Sequence, residues 1–427
     1  MKATTAWTFY DWANSAFALV ITAAVFPSYF LKNTDDVVTF FGITMSNSSL
    51  YAYILSAAYL FVAILSPFVS GFADSANNKK MMLLIFSTLG SISCMVLYYF
   101  DGMVHLQVGI FAFILAMIGY IGSNVFYNAF LPEITTEDKF DSLSAKGFSM
   151  GYIGSVILLL VNLAMIQNPA YFHIATVQMA VRISFIMVGI WWMGFAIIPL
   201  YYLPGSYRLL LKRSKIAEGM WILRDVWYKL RHLPNIKRYL VAFFSYNAGV
   251  QTIMLLAAAF AEKQLGFETS ELIILILILQ LVAIGGAFLF SGLSKLKGNK
   301  FSLITMLLIW ILICVIGYLV VTKFQFYVLA SFVGLVMGGI QSLSRSTYSK
   351  LIYSYTGETT SFFSFYDVVD KLSVLVGTFS FGFIEMITGG MRNSIIALGI
   401  FFVAGILLLS RANLKPSEQE IIITPTV

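Results

Sequence analysis

Apolar runs separated by short polar connections recur along the whole chain. Each run holds about twenty residues, which is long enough to cross roughly 30 Å of hydrocarbon as an α-helix. A lipid-facing segment must satisfy its own backbone hydrogen bonds because no water is available there, and an α-helix does so. The pattern therefore predicts an all-α membrane protein with twelve transmembrane helices. We place them near residues 8–30, 48–71, 80–100, 106–129, 147–166, 181–203, 239–261, 271–292, 301–322, 327–348, 362–388 and 393–410.

Two polar connections resemble each other and lie half a chain apart. Residues 70–79 (SGFADSANNK) and residues 291–300 (SGLSKLKGNK) each link two apolar runs and end in a lysine. The second copy follows the first by 221 positions. Repeats of this kind occur in secondary transporters that are built from two parallel halves. We therefore predict two pseudo-symmetric six-helix halves, residues 1–203 and 238–410, followed by a cytoplasmic tail at 411–427.

The long connection at residues 204–237 joins the two predicted halves and is rich in Lys and Arg. Its apolar residues recur at spacings of four and three, which indicates an amphipathic helix. They are Ile216, Met220, Leu223, Trp227 and Leu230. A basic amphipathic helix is typical of a segment that lies in the headgroup plane of a membrane. The alternative is a linker that recruits a soluble partner.

The composition agrees with a membrane protein. Apolar residues make up 59% of the chain and charged residues 11%, whereas about a quarter of the residues in a soluble domain are charged. The net charge of +7 raises the question of nucleic acid, but its distribution follows the predicted topology. With both termini on one side, 21 of the 27 Lys and Arg lie on that side, five on the other, and Lys371 within a span. The positive-inside rule then predicts cytoplasmic termini, and we expect the basic residues to contact lipid and not nucleic acid.

Candidate catalytic and metal-binding residues are sparse. Cys94 and Cys314 both fall within predicted spans, far apart in sequence, and we interpret them as core residues. His105, His173 and His232 fall in predicted connections, and none is close to a cysteine or a second histidine. The chain has neither a His-Glu-x-x-His motif nor a glycine loop with a phosphate-binding lysine. We therefore expect no enzyme activity, no metal site and no cofactor.

Polar residues within the predicted spans concentrate in the first, fourth, seventh, tenth and eleventh helices. The uncharged candidates for a substrate cavity are Asn14, Asn124, Asn128, Tyr246, Asn247, Gln251 and Gln341. Amide side chains both donate and accept hydrogen bonds, so a cavity lined by them suits a small polar or zwitterionic solute. The alternative is that these groups only bond helices to one another, which contributes on the order of 0.6 kcal/mol each. A cavity between the two predicted halves would explain why the polar residues fall in these five helices.

Charged residues within the predicted spans are candidates for a charge switch. Asp11 lies in the first turn of the first span and is either an acid at the membrane interface or, with Asn14 and Ser15, part of a polar face toward a cavity. Asp367 and Lys371 are four residues apart and can pair on one helix face, with Asp370 beside them. An ionised side chain at the centre of a membrane helix costs about 2.5–3.5 kcal/mol, so these groups should avoid lipid. They form either a structural salt bridge or a switch that gains and loses a proton or another ion.

Short motifs that point to a known family are spread over nearly the whole chain. They are Tyr10-Asp11-Trp12-Ala13-Asn14-Ser15, Tyr127-Asn128 with Leu131-Pro132-Glu133, Ser144-Ala145 with Gly147-Phe148, Gly249-Val250-Gln251-Thr252, Gln341-Ser342-Leu343-Ser344-Arg345-Ser346 and Lys371-Leu372-Ser373. Together they resemble the bacterial branch of the vacuole-effluxer-like family of the major facilitator superfamily. That family often has an aspartate before Gly249, where this chain has Ala248, so a coupling role for that carboxylate is not carried over.

The resemblance implies a transporter with the major facilitator fold in a bacterial inner (plasma) membrane. It also implies that the first connector closes the cytoplasmic side, although Asp74 is alternatively a solvated loop acid. The candidate gate residues are Gly71, Asp74, Lys79, Lys80 and Arg345. Asn77 and Asn78 stand where the superfamily commonly has glycine and arginine, which weakens the basic clamp unless the two lysines replace it.

For the fungal vacuolar members, amino-acid efflux is the activity that the resemblance suggests. We therefore predict a secondary active transporter that moves a small, amino-acid-like polar solute by alternating access. We expect it to act as a monomer in the lipid bilayer, coupled to protons or to another ion. The alternative is a lipid-handling or sensor protein on the same fold. That alternative would be favoured if the amphipathic helix 216–230 were essential and the intramembrane polar residues were not.

Overall fold

The computed structural model describes residues 1–205, 213–388 and 390–414, so parts of the predicted linker (206–212) and tail (415–427) lie outside the description. Helices account for most of the described residues. They are α1 (Ala3–Asn33, π-helical over Phe17–Val25), α2 (Asn47–Ser75), α3 (Lys79–Val96), α4 (Leu106–Ala129), α5 (Phe140–Gln167), α6 (Val177–Tyr202), α7 (Arg213–His232), α8 (Pro234–Leu265), α9 (Thr269–Leu319), α10 (Lys323–Leu351), α11 (Thr359–Thr388) and α12 (Met391–Arg411). A small antiparallel hairpin, β1 (Val37–Phe40) with β2 (Ile43–Ser46), joins α1 to α2.

Helix α9 accounts for two transmembrane segments. It is 51 residues long, and Gly298 interrupts it with φ 82° and ψ 160°. Glycine adopts this conformation readily because it has no Cβ. Within the described ranges, eleven helices are long and apolar enough to cross a membrane, and α9 is counted once among them. The described residues therefore contain the predicted twelve transmembrane segments, and the all-α fold class is confirmed.

The two similar connectors both have a residue with positive φ at the same repeat position. Asn77 has a φ of 50°, and Gly298, which follows it by 221 positions, has a φ of 82°. Asn and Gly are the residues that tolerate this left-handed region best. At the C-terminal end of each connector a lysine binds a carbonyl just past the end of a distant helix. Lys80 Nζ lies 2.8 Å from such an oxygen after α6, and Lys300 Nζ lies 2.9 Å from one after α12. The two connectors thus make similar lysine contacts, although the lysines are shifted by one position, because Lys300 is equivalent to Lys79 in the repeat.

The chain divides into two compact units. Unit 1 contains Met1–Asn128 and Met150–Gly219, and unit 2 contains Ala129–Ser149 and Met220–Val427. The predicted halves 1–203 and 238–410 differ from these units chiefly at residues 129–149, which cluster with the C-terminal helices. The reason is a set of polar side chains at the start of α5 that bond to α9 and α10, described below. No local sequence pattern indicates such long-range bonds.

Helices α9 and α10 pack at close range through glycine. A Cβ atom on Gly338 would overlap the carbonyl oxygen of Ala283, and one on Gly334 would come within 2.6 Å of the carbonyl oxygen of Leu279. On the α9 side, a Cβ on Gly286 would overlap a carbonyl of α10. Small residues let membrane helices approach closely enough for their backbones to touch. This pair of helices therefore depends on the absence of side chains at the contact.

Candidate functional site

A polar network joins α8 and α11 in unit 2. Asn247 Nδ2 donates to Asp370 Oδ1 at 2.7 Å and to Ser373 Oγ at 2.7 Å. One turn along α8, Gln251 Nε2 lies 3.5 Å from Asn247 Oδ1. Asn247 is only 6% exposed, so its amide is held by these bonds and not by solvent. The amides predicted on α8 and the carboxylate predicted on α11 therefore belong to one site.

Lys371 lies between two carboxylates of its own helix. Its Nζ is 2.5 Å from Asp370 Oδ2 and 3.4 Å from Asp367 Oδ1. The predicted pair of Asp367 with Lys371 is present, and Lys371 also pairs with Asp370, the shorter of its two contacts. The long lysine side chain bends back and reaches the adjacent residue, which helix spacing alone does not anticipate.

The two carboxylates of this site differ in their hydrogen bonds. Asp370 accepts from Asn247 and from Lys371, which stabilises its charged form. Asp367 is 9% exposed, and its Oδ2 has no hydrogen-bond partner among the described residues. One ammonium between two carboxylates leaves one uncompensated negative charge, and a buried charge in a membrane is costly. Asp367 is therefore the carboxylate on which a proton fits best.

Two other residues predicted to line a cavity in this half occupy different environments. Tyr246 is 1% exposed, and its hydroxyl lies 2.8 Å from Ser344 Oγ, so it bonds α8 to α10 within the core. Gln341 is partly exposed and has Nε2 3.7 Å from Met254 Sδ. Of these two side chains, only that of Gln341 is partly exposed.

Unit 1 holds a second set of predicted residues, on α1 and α4. Asn14 Nδ2 donates to Asn124 Oδ1 at 2.7 Å. Asp11 is 6% exposed and accepts a hydrogen bond of 2.6 Å from the hydroxyl of Tyr127. Because Asp11 is buried, this contact favours the alternative in which Asp11 belongs to a polar helix face over the alternative of an acid at the membrane interface. Asn128, the last predicted residue of this set, is half-buried near the end of α4.

The predicted gate residues fall in both units. Lys79 and Lys80 are buried at 7% and 6% exposure, and Lys80 binds the carbonyl after α6 described above, which is a structural role. Gly71 contacts the linker, because a Cβ on Gly219 would lie 2.8 Å from its carbonyl carbon. Asp74, near the end of α2, is half-buried.

Arg345 on α10 binds the first turns of α5 inside unit 2. Its Nε donates to Ser144 Oγ at 2.9 Å, and a terminal nitrogen donates to Ser144 O at 2.9 Å. The guanidinium also lies over the ring of Phe148, 4.1 Å from the ring centroid. With 4% exposure, this arginine anchors the segment 129–149 to α10.

A second anchor beside Arg345 was not predicted from the sequence. Asp141, 3% exposed, accepts from Lys350 Nζ at 2.7 Å, from Asn299 Nδ2 at 2.9 Å and from Ser294 Oγ at 2.5 Å. Ser294 and Asn299 belong to the second connector. The second connector therefore binds the carboxylate of Asp141, which lies more than 150 residues earlier in the chain.

Removing Lys350 should destabilise the protein strongly. We expect Lys350→Met to lower the free energy of unfolding by about 3–5 kcal/mol, because it leaves the Asp141 carboxylate buried without its counter-charge. The double variant Lys350→Met/Asp141→Leu should recover part of this loss. Thermal unfolding of the purified protein in detergent measures both.

The pair of Lys323 with Glu271 provides the control for that experiment. It is equally short at 2.6 Å, but the lysine side chain is 40% exposed. Lys323→Met should therefore cost no more than about 1 kcal/mol. Equal losses at the two lysines would contradict the role given to Asp141.

Comparisons with known sequences identify the family to which this chain is similar. A sequence model of the family described as "Vacuole effluxer Atg22 like" matches residues 1–421. The uncharacterized MFS-type transporter YxiO of Bacillus subtilis is 29% identical over 411 residues, which are 96% of this chain and 94% of that protein. Autophagy-related protein 22 of Saccharomyces cerevisiae strain S288c is 23% identical over 434 residues, covering 88% of this chain and 80% of that protein.

Solved structures show the same fold at low sequence identity. The major facilitator superfamily transporter FucP in its outward conformation aligns with a TM-score of 0.68 and 13% identity, over 96% of this chain and 98% of that one. The proton:xylose symporter XylE aligns with a TM-score of 0.70 and 14% identity, over 98% and 96% of the two chains. The major facilitator fold expected from the sequence is thereby confirmed.

Proposed function

Because the chain belongs to the vacuole effluxer Atg22-like family of transporters, we propose that it is a secondary active transporter that moves a small polar, amino-acid-like solute by alternating access. Membrane transport by a major facilitator protein, and not enzymatic catalysis, follows from the family. The solute class and the coupling are our proposal.

The network of Asn247, Gln251, Asp367, Asp370 and Lys371 carries this proposal. It combines amide donors and acceptors with an ammonium and two carboxylates on two membrane helices. A zwitterionic solute presents an ammonium and a carboxylate, which complement these groups. A bulky apolar solute would displace water from these groups without offering any hydrogen bond in return, which is costly. The chemistry thus favours a small polar solute.

We further propose that the transport cycle moves a proton through this site. Two carboxylates share one ammonium, and Asp367 keeps a buried oxygen without a partner among the described residues. Protonation of Asp367 would remove the uncompensated charge. Two proteins of the same fold are named for proton symport, with fucose in one case and xylose in the other.

The orientation of the chain is part of the proposal. The positive-inside distribution supports cytoplasmic termini and a cytoplasmic linker. The relative from Bacillus subtilis, which matches over nearly the full length, supports a bacterial inner membrane as the location.

Counterflow of labelled amino acids into proteoliposomes tests the proposed function. We expect uptake of at least one member of a broad amino-acid panel, and at least a tenfold loss of that uptake in Asn247→Leu. Asn168→Leu, in an exposed connection, is the control and should leave uptake unchanged. If an organic phosphate or an apolar cation is carried while no amino acid is, the solute class is wrong. If the protein carries no solute but still requires α7 for its role in the cell, the alternative of a lipid-handling or sensor protein describes it better.

A further inference from the structure

The linker helix α7 packs one face against the protein. Val226 and Leu230 on this face are 0% and 6% exposed. Close to them in sequence, Lys229 Nζ lies 2.6 Å from Asp225 Oδ2 and 2.8 Å from Glu358 Oε2. Burial alone would lower the pKa of Lys229, but its hydrogen bonds to the two carboxylates raise the pKa above the ordinary value. The lysine therefore stays charged and holds α7 on the segment that precedes α11.

The opposite face of α7 is exposed and combines aromatic with basic residues. Trp221 and Tyr228 are 59% and 55% exposed, and Arg224 and Arg231 are exposed beside them. Trp227, 52% exposed, lies at the edge of this face, and its ring packs on Phe365 with centroids 5.7 Å apart. The positions 221, 224, 228 and 231 recur at three and four, so they share a helix face. Trp and Tyr are the residues that accumulate at the headgroup level of membrane proteins. An aromatic and arginine-rich face therefore fits a membrane surface better than open water.

An open cleft of about 520 Å³ lies at the end of this face, where α7 meets α8. It is lined by Arg224, Trp227, Tyr228, Arg231, His232 and Lys237. His232 stacks on Tyr228 with ring centroids 4.0 Å apart, and its Nδ1 lies 2.8 Å from the Tyr228 carbonyl oxygen. Lys237 lies in the first turn of α8, a membrane-crossing helix, so the cleft is at the level where the chain enters the bilayer.

The charge of the cleft has one sign. Three of its lining residues are permanent cations at neutral pH, and within the described part of the chain its lining includes no carboxylate. Asp225, the nearest acid in sequence, is engaged by Lys229 on the other face of α7. The cleft therefore presents uncompensated positive charge, framed by aromatic rings.

We propose that this cleft binds the phosphate headgroup of an anionic phospholipid from the leaflet that adjoins the linker. Arginine forms paired hydrogen bonds to phosphate oxygens, and Arg224 and Arg231 both line the cleft from the same face of α7. Each basic residue near an anionic surface strengthens binding by about fivefold. The aromatic rings keep the cleft at the headgroup depth. The lipid fixes the linker at the start of α8, independently of which solute is carried.

Native mass spectrometry of the full-length protein in detergent tests this site. The probes are phosphatidylglycerol and phosphatidylcholine with identical acyl chains. We expect phosphatidylglycerol to bind more tightly, and the triple variant Arg224→Gln/Arg231→Gln/Lys237→Gln to lose at least tenfold of that affinity. Arg231→Gln alone should lose about fivefold, which keeps the test valid if the triple variant does not fold.

The matched control removes the same number of exposed charges elsewhere. It is Lys295→Gln/Lys297→Gln/Arg411→Gln, and it should bind phosphatidylglycerol like the unmodified protein. Equal binding of the two lipids, or equal losses in the two triple variants, would overturn the proposal. Displacement of the lipid by equimolar inorganic phosphate would assign the cleft to a soluble anion. Displacement by an equimolar acidic peptide would assign it to a protein partner, and either result rejects the lipid.

Discussion

Replacing Asp370 by asparagine is expected to reduce solute counterflow at least tenfold while the protein stays folded. The carboxylate of Asp370 accepts hydrogen bonds from Asn247 at 2.7 Å and from Lys371 at 2.5 Å. A neutral amide in its place holds Lys371 less strongly and presents donors to Asn247, which also donates. The substitution changes no volume, so we expect its effect on the unfolding midpoint to be small. Counterflow and thermal unfolding, measured on the same preparation, separate the two effects.

A second acid on the same helix provides the control for this prediction. Glu385 lies on α11 near its end, four turns from Asp370, and Glu385→Gln removes the same charge. It should leave counterflow within twofold of the unmodified protein, whereas Lys371→Met should be as defective as Asp370→Asn. Normal counterflow in Asp370→Asn would remove this residue from the mechanism.

Replacing Gly338 by leucine is expected to destabilise the protein by about 3 kcal/mol or more. Any Cβ atom at this position overlaps the carbonyl oxygen of Ala283, which belongs to the backbone of α9 and has no rotamer to change. Helices α9 and α10 must then separate, and their close packing is lost. The unfolding midpoint in detergent and the monodisperse fraction on size exclusion measure this effect.

Gly285 provides the matched control for the packing prediction. It lies on α9, and a Cβ built there meets no atom within 4 Å. Gly285→Leu also replaces a helical glycine by a residue with a higher helix propensity, which offsets small losses. We expect no decrease in its unfolding midpoint. A similar decrease in both variants would show that the α9–α10 contact is less tight than the structure indicates.

Much of the fold followed from apolar run lengths and from the repeated connector. Hydrocarbon thickness dictates how long a membrane helix must be, so the spans were predictable without tertiary information. Intramembrane charges are rare because they are costly, which is why Asp367, Asp370 and Lys371 stood out in the sequence. The structure brings these three residues together with Asn247 and so converts separate candidates into one site.

The remaining features depend on contacts that no local pattern encodes. Tyr246 is an intramembrane polar residue like Asn247, which is its neighbour on α8. Its position on the helix, however, directs its side chain into the core, where the hydroxyl bonds to Ser344. Lys350 and Asp141 are 209 residues apart, so neither sequence neighbourhood indicates the other. The bend of Lys371 toward Asp370 is a rotamer choice, and helix geometry permits either partner. Side-chain direction and long-range pairing therefore had to come from the structure.

Proton movement evoked by solute in proteoliposomes tests the central claim most directly. A pH-sensitive dye is trapped inside, and the transported amino acid is added outside without any imposed gradient. We predict a change in internal pH with the unmodified protein, and counterflow without a pH change in Asp367→Asn. Solute flux through the unmodified protein without a pH change, or an unaltered pH response in Asp367→Asn, would contradict the account.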